Sequence, residues 1–359
     1  MDIPNHIALL APTGRASKKI AESTNLYATT IHRYLKWNKE TNTFSVDENN
    51  KNYQKLIIID ETSMIDVFLF DALLKGIYSD VKLIIVGDKN QLPSVGAGLI
   101  LNDLIESKGF ANIELTRIYR QSNNSYIPDL AKEIKEVNIN KDFTCQKDDY
   151  NFLSVDDQYI LETIKKIIDM SIKKGLNEKN IQVLAPMYKG KNGIDNLNIM
   201  LQSLLNKKDK EKKEIKVGEV IFREKDKVIQ LVNDPDNNIF NGDIGYIHNI
   251  FKDGNNKDVV TIDFDGNYII YKREDLTNIK HAYAMTIHKA QGSEFNHVIM
   301  PVCRSYNKML YNKLIYTGVS RAKKSLVIIG NPDVFIEASK NMYSSKRKTT
   351  LKELIMNNL

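Results

Sequence analysis

Cysteine is nearly absent: Cys145 and Cys303 are the only two in 359 residues, far apart and neither in a CxxC pair. This excludes a disulfide framework and a thiolate zinc site, and it fits a reducing cytoplasm. No stretch reaches the ~18 consecutive apolar residues of a membrane span, and the opening Met1-Asp2-Ile3-Pro4-Asn5-His6 lacks the basic start of a secretion signal. Neither secretion nor a membrane partner is expected. A dominant charge sign is missing too, because 51 Lys and Arg face 45 Asp and Glu for a net charge of +6. Such a mild basic excess suits a nucleic-acid partner without demanding one. What is present is the composition of a folded globular protein, 42% hydrophobic and 27% charged. At about 100 to 200 residues per domain, the length predicts two domains and a small insertion.

Short apolar runs recur at Ile7 to Ala11, Leu56 to Ile59, Leu83 to Val86, Ile181 to Ala185, Val298 to Val302 and Leu326 to Ile329. Several lead into loops carrying Thr, Asp, Gly or Pro, with helical patterns between them, which predicts buried parallel strands joined by crossover helices. From Tyr159 to Lys174, Ile160, Ile164, Ile167, Ile168 and Ile172 share one helical stripe and should cover a sheet face. Between Gly218 and Ile279 the texture becomes short β-like pieces separated by turn residues, as at Phe264-Asp265-Gly266-Asn267. These predict hairpins of a small inserted β-barrel. The run Lys207 to Glu214 is nearly all charge and reads as a solvated loop or helix end. The tail around Lys346, Arg347 and Lys348 reads as a frayed basic terminus, with contact to nucleic acid as the other role.

Ile57-Ile58-Ile59-Asp60-Glu61 is an apolar strand ending in two acids, which puts adjacent carboxylates at the carboxyl edge of a sheet, where α/β folds bind ligands. Such a pair serves either magnesium-assisted phosphate chemistry or the capping of the next helix. The loop Gly87-Asp88-Lys89-Asn90-Gln91-Leu92-Pro93-Ser94-Val95-Gly96-Ala97-Gly98 follows another apolar strand. Its Gln91 suits a terminal phosphate or an attacking water, or else plain solvent exposure on a connection. Thr30-Ile31-His32-Arg33 and Thr286-Ile287-His288-Lys289 echo one another with a hydroxyl, an imidazole and a cation each. Two similar grips suit movement along a phosphate backbone, although His32 and His288 also fit partly buried structural roles. Tyr34 and Trp37 fit base stacking or core packing.

Taken in order, Leu10-Ala11-Pro12-Thr13-Gly14-Arg15-Ala16, Asp60-Glu61-Thr62-Ser63-Met64, the Gly87 to Gly98 loop and Leu115-Thr116-Arg117-Ile118-Tyr119-Arg120-Gln121 closely resemble the motifs of RecD-like superfamily 1 DNA helicases. Ala185-Pro186-Met187-Tyr188-Lys189-Gly190, Phe240-Asn241-Gly242-Asp243-Ile244-Gly245, Thr286 to Glu294 and Tyr316-Thr317-Gly318-Val319-Ser320-Arg321-Ala322-Lys323 continue the series, so the resemblance spans roughly residues 7 to 330. It implies an α/β fold with two RecA-like parallel-sheet domains, the first at 1–112 and the second at 113–218 and 276–345. A β-barrel at 219–275 and a basic tail at 346–359 complete the expected layout. It also implies ATP with Mg2+ as cofactors and 5′-to-3′ movement on single-stranded DNA as the activity. The site residues follow from the same resemblance: Asp60 for magnesium, Glu61 as catalytic base, Gln91 as γ-phosphate sensor, Arg120 and Arg321 on the phosphates, and Gly292 and Glu294 beside the nucleotide. DNA is assigned to Thr13, Arg15, His32, Arg33, Pro186, Met187, Thr286, His288 and Lys289.

The sequence departs from the family at one decisive point. A phosphate-binding loop needs GxxxxGK[ST], so that backbone amides and a lysine cradle the triphosphate. The only Gly-Lys pair here, Gly190-Lys191, is followed by Asn192, and the first glycine position is Ala185. The expectation is a motor whose upstream, loop-carrying segment is missing, with very weak or no ATP hydrolysis by these residues alone and exposed sheet edges in the first domain. A non-hydrolysing DNA-binding remnant is the alternative. Pathway, repair partner and oligomeric state are not written in these residues.

Overall fold

A computed structural model describes residues 6–115, 125–234, 236–342 and 347–358. The chain divides into two units, Met1–Ile118 with Met342–Leu359, and Tyr119–Asn341. In the first unit, β1 (Ile7–Ala11), α1 (Gly14–Thr24), β2 (Ala28–Thr30) and α2 (Ile31–Tyr34) are followed by the small hairpin β3 (Trp37–Asn38) and β4 (Thr43–Phe44). Then come β5 (Leu56–Ile59), α3 (Val67–Lys75), β6 (Lys82–Ile85) and α4 (Ile100–Ser107). The strands β2-β1-β5-β6 form a parallel sheet in that order. Leu10, Ile57 and Ile59 are buried with Ile31, Leu35, Ile65 and Leu73 in one core, each fully buried aliphatic contributing about 1.5 to 3 kcal/mol of transfer free energy. The sheet edge at β6 is different. Ile84 and Val86 are 46% and 45% exposed and Leu83 and Ile85 half-buried, so apolar side chains stand on both faces, the composition of an interior parallel strand.

The second unit holds α5 (Ile127–Lys135), β7 (Tyr150–Ser154), α6 (Ile160–Lys173), β8 (Ile181–Ala185) and α7 (Ile194–Leu205). Next come the hairpin β9 (Glu214–Val217) and β10 (Val220–Arg223), then β11 (Lys227–Gln230), β12 (Ile244–Lys252), β13 (Asp258–Phe264), β14 (Asn267–Lys272) and β15 (Ile279–His281). The chain continues with β16 (Ala284–Thr286), β17 (Phe295–Val302), α8 (Asn312–Val319), β18 (Ala322–Gly330) and α9 (Pro332–Lys340). A five-stranded parallel sheet runs β16-β8-β17-β18-β7. Helix α6 packs with its predicted stripe inward at Ile160, Ile164 and Ile168, while Ile172 in its last turn is exposed.

The predicted insertion is an SH3-like antiparallel sheet of order β14-β13-β12-β11-β15. Ile215 and Phe222 of the β9–β10 hairpin share its core with Val228, Val260 and Ile262. Glu214, at the end of the charged run, belongs to that hairpin and pairs with Arg223 at 2.7 Å. A buried polar network joins this sheet to α7. The Asp226 carboxylate accepts from Gln202 at 2.6 Å, Asn206 at 2.7 Å and the Tyr283 hydroxyl at 2.9 Å, and faces His281 Nε2 at 3.0 Å. Such a satisfied network fixes one packing, whereas loss of a single member would strand a buried charge.

The first unit is completed by the end of the chain, where α10 (Leu351–Asn357) packs along α4. The expectation of a frayed basic terminus is thereby corrected. Leu351 joins the first unit's core and Thr349 Oγ1 donates to Asp103 Oδ1 at 2.8 Å, so apolar contact and hydrogen bonding order a segment that charge alone would leave in solvent. Lys346 lies outside the described residues.

Candidate nucleotide and DNA sites

In the first unit, β5 delivers Asp60 and Glu61 to the carboxyl edge of the sheet. Asp60 Oδ1 accepts from the Glu61 amide at 2.7 Å, and Glu61 adopts a left-handed backbone with φ of 53°. That conformation costs a non-glycine residue roughly 1 kcal/mol and persists where surrounding structure over-determines it. The surrounding structure is the β6 loop. The Thr62 amide and hydroxyl both donate to Val86 O, at 3.1 and 2.8 Å. Gly87 lies so close that a Cβ there would meet Leu101 Cδ2 at 2.9 Å and Thr62 N at 3.1 Å. The acids and the Gly87 to Gly98 loop therefore form one place.

Two polar atoms in that place, Ser63 Oγ and Gln91 Oε1, are buried with no hydrogen-bond partner among the described residues. Gln91 is 9% exposed, so it is no solvent-facing loop residue. Buried orphan polar atoms at a sheet's carboxyl edge are what a polar ligand satisfies. Among the described residues no group of three or more His, Cys, Asp or Glu converges on a metal position. A single carboxylate supplemented by phosphate oxygens is nonetheless the ordinary protein contribution to magnesium.

Thr13 and Arg15 follow β1, where Thr13 caps α1 by accepting from the Ala16 amide at 3.3 Å. Thr30 caps α2 by accepting from the Arg33 amide at 3.2 Å, which leaves His32 and Arg33 exposed on a single helical turn. Beside them Trp37 is 40% exposed, its ring 4.6 Å from Phe44 and 6.1 Å from His32. The chain's one tryptophan is thus a surface aromatic. Tyr34 has the opposite fate: it packs against the core, donates to Gln54 Oε1 at 2.8 Å, and burial pushes its pKa up to about 12.

In the second unit, Thr286 accepts from the Lys289 amide at 3.1 Å, and His288 and Lys289 are half-buried on the turn it caps. Burial lowers both of their pKa values. The Lys289 ammonium donates to Asn241 Oδ1 of the SH3-like region, an interaction that sequence spacing did not reveal. Pro186 and Met187 follow β8, and next to them Lys280 stands over the Tyr188 ring at 5.0 Å. Further along, Gly292 turns with φ of 71° and Glu294 pairs with Lys323 at 2.9 Å. Arg321 is 2% exposed, far from a surface ion pair. Its guanidinium donates to Thr317 O at 3.2 Å, Ser293 O at 3.2 Å and Ser320 Oγ at 3.0 Å, which holds the Gly292 to Glu294 turn against α8. Arg120 lies outside the described residues.

The fold is similar to that of the Pif1 helicase from Bacteroides solved with ADP-AlF3 and single-stranded DNA, with a TM-score of 0.56 at 17% identity over 94% of this chain and 84% of that one. Pif1 helicase from Candida albicans gives 0.52 at 16% identity over 99% and 90%. Two parallel-sheet units with an SH3-like insertion thus share the fold of these two structures. Residues 1–97 match an AAA domain, residues 197–264 the SH3 domain of ATP-dependent RecD-like DNA helicases, and residues 281–329 the UvrD-like helicase C-terminal domain. In their order along the chain these are the domains of RecD-like superfamily 1 helicases, which the chain resembles. It is 30% identical to the ATP-dependent RecD2 DNA helicase of Deinococcus radiodurans over 97% of this chain and 46% of that protein. With the RecBCD enzyme subunit RecD of Mycolicibacterium smegmatis it shares 26% identity over 90% and 62%. The chain spans between about a third and two thirds of the curated relatives it matches. No helix among the described residues is long and apolar enough to cross a membrane.

Proposed function

We propose that this chain is the motor region of an ATP-dependent 5′-to-3′ DNA helicase that grips single-stranded DNA through two equivalent turns in the cytoplasm. One observation carries the reading. In the first unit Ala11, before Pro12, pairs in register with Thr30; in the second, Ala185, before Pro186, pairs in register with Thr286. Each unit therefore sets a Leu-Ala-Pro strand end beside a Thr-Ile-His turn bearing a cation. The first grip comprises Thr13, Arg15, His32 and Arg33, the second Pro186, Met187, Thr286, His288 and Lys289. Cations on both turns attract phosphates, and His32 with Trp37 offers rings for base stacking.

For hydrolysis, magnesium bound at Asp60 would supply charge neutralisation to the phosphates. Glu61 orients and deprotonates the attacking water, Gln91 senses the terminal phosphate, and Gly292 and Glu294 flank the nucleotide. Arg120 and Arg321 are assigned to transition-state charge, and Arg321 is already oriented by three bonds to its own unit. The 359 residues contain no GxxxxGK[ST] loop, so DNA-stimulated ATP turnover is expected to be very weak or absent. The doubly apolar β6 edge supports the need for a further strand, which an added segment carrying that loop would provide. The missing loop equally favours a second reading, a non-hydrolysing single-stranded-DNA-binding remnant. Two assays decide between these readings. Anisotropy of labelled oligo-dT should show salt-dependent binding, and absence of binding sinks both readings. ATP turnover that appears on supplying a loop-bearing segment supports the motor; turnover like an intact helicase's without it refutes the account of the missing loop.

A further inference from the structure

We propose that Arg347 is a positioning residue for the loop that carries Gln91, and that the end of the chain acts as a clasp on the candidate nucleotide site. The inference rests on the reading of Gln91 given above. The Arg347 guanidinium donates through Nη1 to Gly96 O at 2.7 Å and Gly98 O at 3.3 Å. Charge-assisted bonds of this kind hold a backbone more firmly than neutral ones.

The other side of the same loop end is also pinned. The Val67 amide donates to Ala97 O at 2.9 Å, and a Cβ on Gly96 would fall 2.1 Å from Asp66 Oδ2, so the backbone lies directly on the start of α3. Between this double anchor and Val86, whose carbonyl accepts from the Thr62 amide and hydroxyl, the loop carries fully buried Leu92 and the orphan Gln91 Oε1. A loop fixed at both ends holds Gln91 ready before any ligand arrives, which is the physical content of preorganisation. The clasp is itself seated by Leu351 in the core and by Thr349 on Asp103. Lys352 and Glu106, an exposed pair at 3.2 Å, add little to that seating.

Hydrogen exchange on the full chain, read by mass spectrometry over residues 87–98, tests the assignment. Arg347→Ala is expected to speed exchange in this loop about tenfold while β5 and α3 keep their protection. Arg347→Lys, with a compact ammonium in place of the planar fork, should recover only part of the protection, and Lys352→Ala should change nothing. Millimolar methylguanidinium added to Arg347→Ala should restore slow exchange. An unchanged loop in Arg347→Ala, no restoration by methylguanidinium, or an equal acceleration across the whole first unit would each overturn the proposal. None of these measurements uses nucleotide or DNA. A chain that binds neither would therefore refute the role given to Gln91 and leave the clasp standing.

Discussion

The turns Thr30-Ile31-His32-Arg33 and Thr286-Ile287-His288-Lys289 occupy the same place in their sheets and differ in their surroundings. Both follow a short edge strand, both are capped by a threonine hydroxyl accepting from the amide three residues on, and both bury the isoleucine completely. In the first unit the imidazole and guanidinium stand at the surface, the imidazole beside Trp37 and Phe44. In the second the imidazole and ammonium are half-buried, and the ammonium is held by Asn241. The common part is what folding requires of such a turn, a cap and an apolar peg. The differing part is what a ligand would meet: a solvent-exposed guanidinium in one unit and a half-buried ammonium held by Asn241 in the other.

The largest effect should come from the shared peg. Ile31→Ala and Ile287→Ala each empty a fully buried site, and each should destabilise its unit by about 2 to 5 kcal/mol in urea titrations followed by circular dichroism. A difference of several kcal/mol between the two would show that the pegs are not equivalent, for all their matching register.

Next in size is the loss of a cation. Arg33→Ala and Lys289→Ala should each weaken oligo-dT binding and lower the slope of log affinity against log salt by about 0.7, with the double variant losing about 1.4. Should one variant leave the slope untouched, only one turn touches phosphate and the symmetry ends at the backbone. Thr30→Ala and Thr286→Ala are expected to cost about 1 kcal/mol each, because each removes one cap from a single turn. Matching losses in urea titration would support the parallel, and a cost at only one of them would break it.

Much of this comparison was legible beforehand. Ile7–Ala11, Leu56–Ile59 and Ile181–Ala185 are strands over the predicted bounds because uninterrupted aliphatic runs between turn residues leave little choice. The edge strands Ala28–Thr30 and Ala284–Thr286 were not foreseen as strands. With three residues and polar Thr they pair only because β1 and β8 offer a partner. The echo of the two turns was visible as a sequence pattern, but its shared register was not, since register is a property of two segments together. Side-chain partners distant in sequence were the least legible. Asp226 gathers Gln202, Asn206, His281 and Tyr283, Asn241 reaches Lys289, and Arg347 reaches Gly96. No local periodicity encodes such pairs; they exist only once the chain is packed.

The smallest expected effect separates the two imidazoles by pH. Burial lowers the pKa of His288. At His32 desolvation also lowers the value, and the Asp66 carboxylate opposes that lowering. A histidine whose folded value lies below the unfolded one takes up its proton more readily in the unfolded chain. Above the ordinary value near 6.5 both states are neutral and nothing changes. As pH falls below it, the unfolded chain gains protons first and stability declines until the folded value is passed. His297 is lowered in the same way, by burial and by Lys324, so the second unit carries two such groups. Thermal unfolding between pH 7.5 and 5.5 should therefore show a loss of stability that His288→Gln reduces and that His32→Gln reduces less. Equal slopes in the two variants would mean that the second turn is no more desolvated than the first, and the proposed contrast between an exposed and a half-buried grip would fall with it.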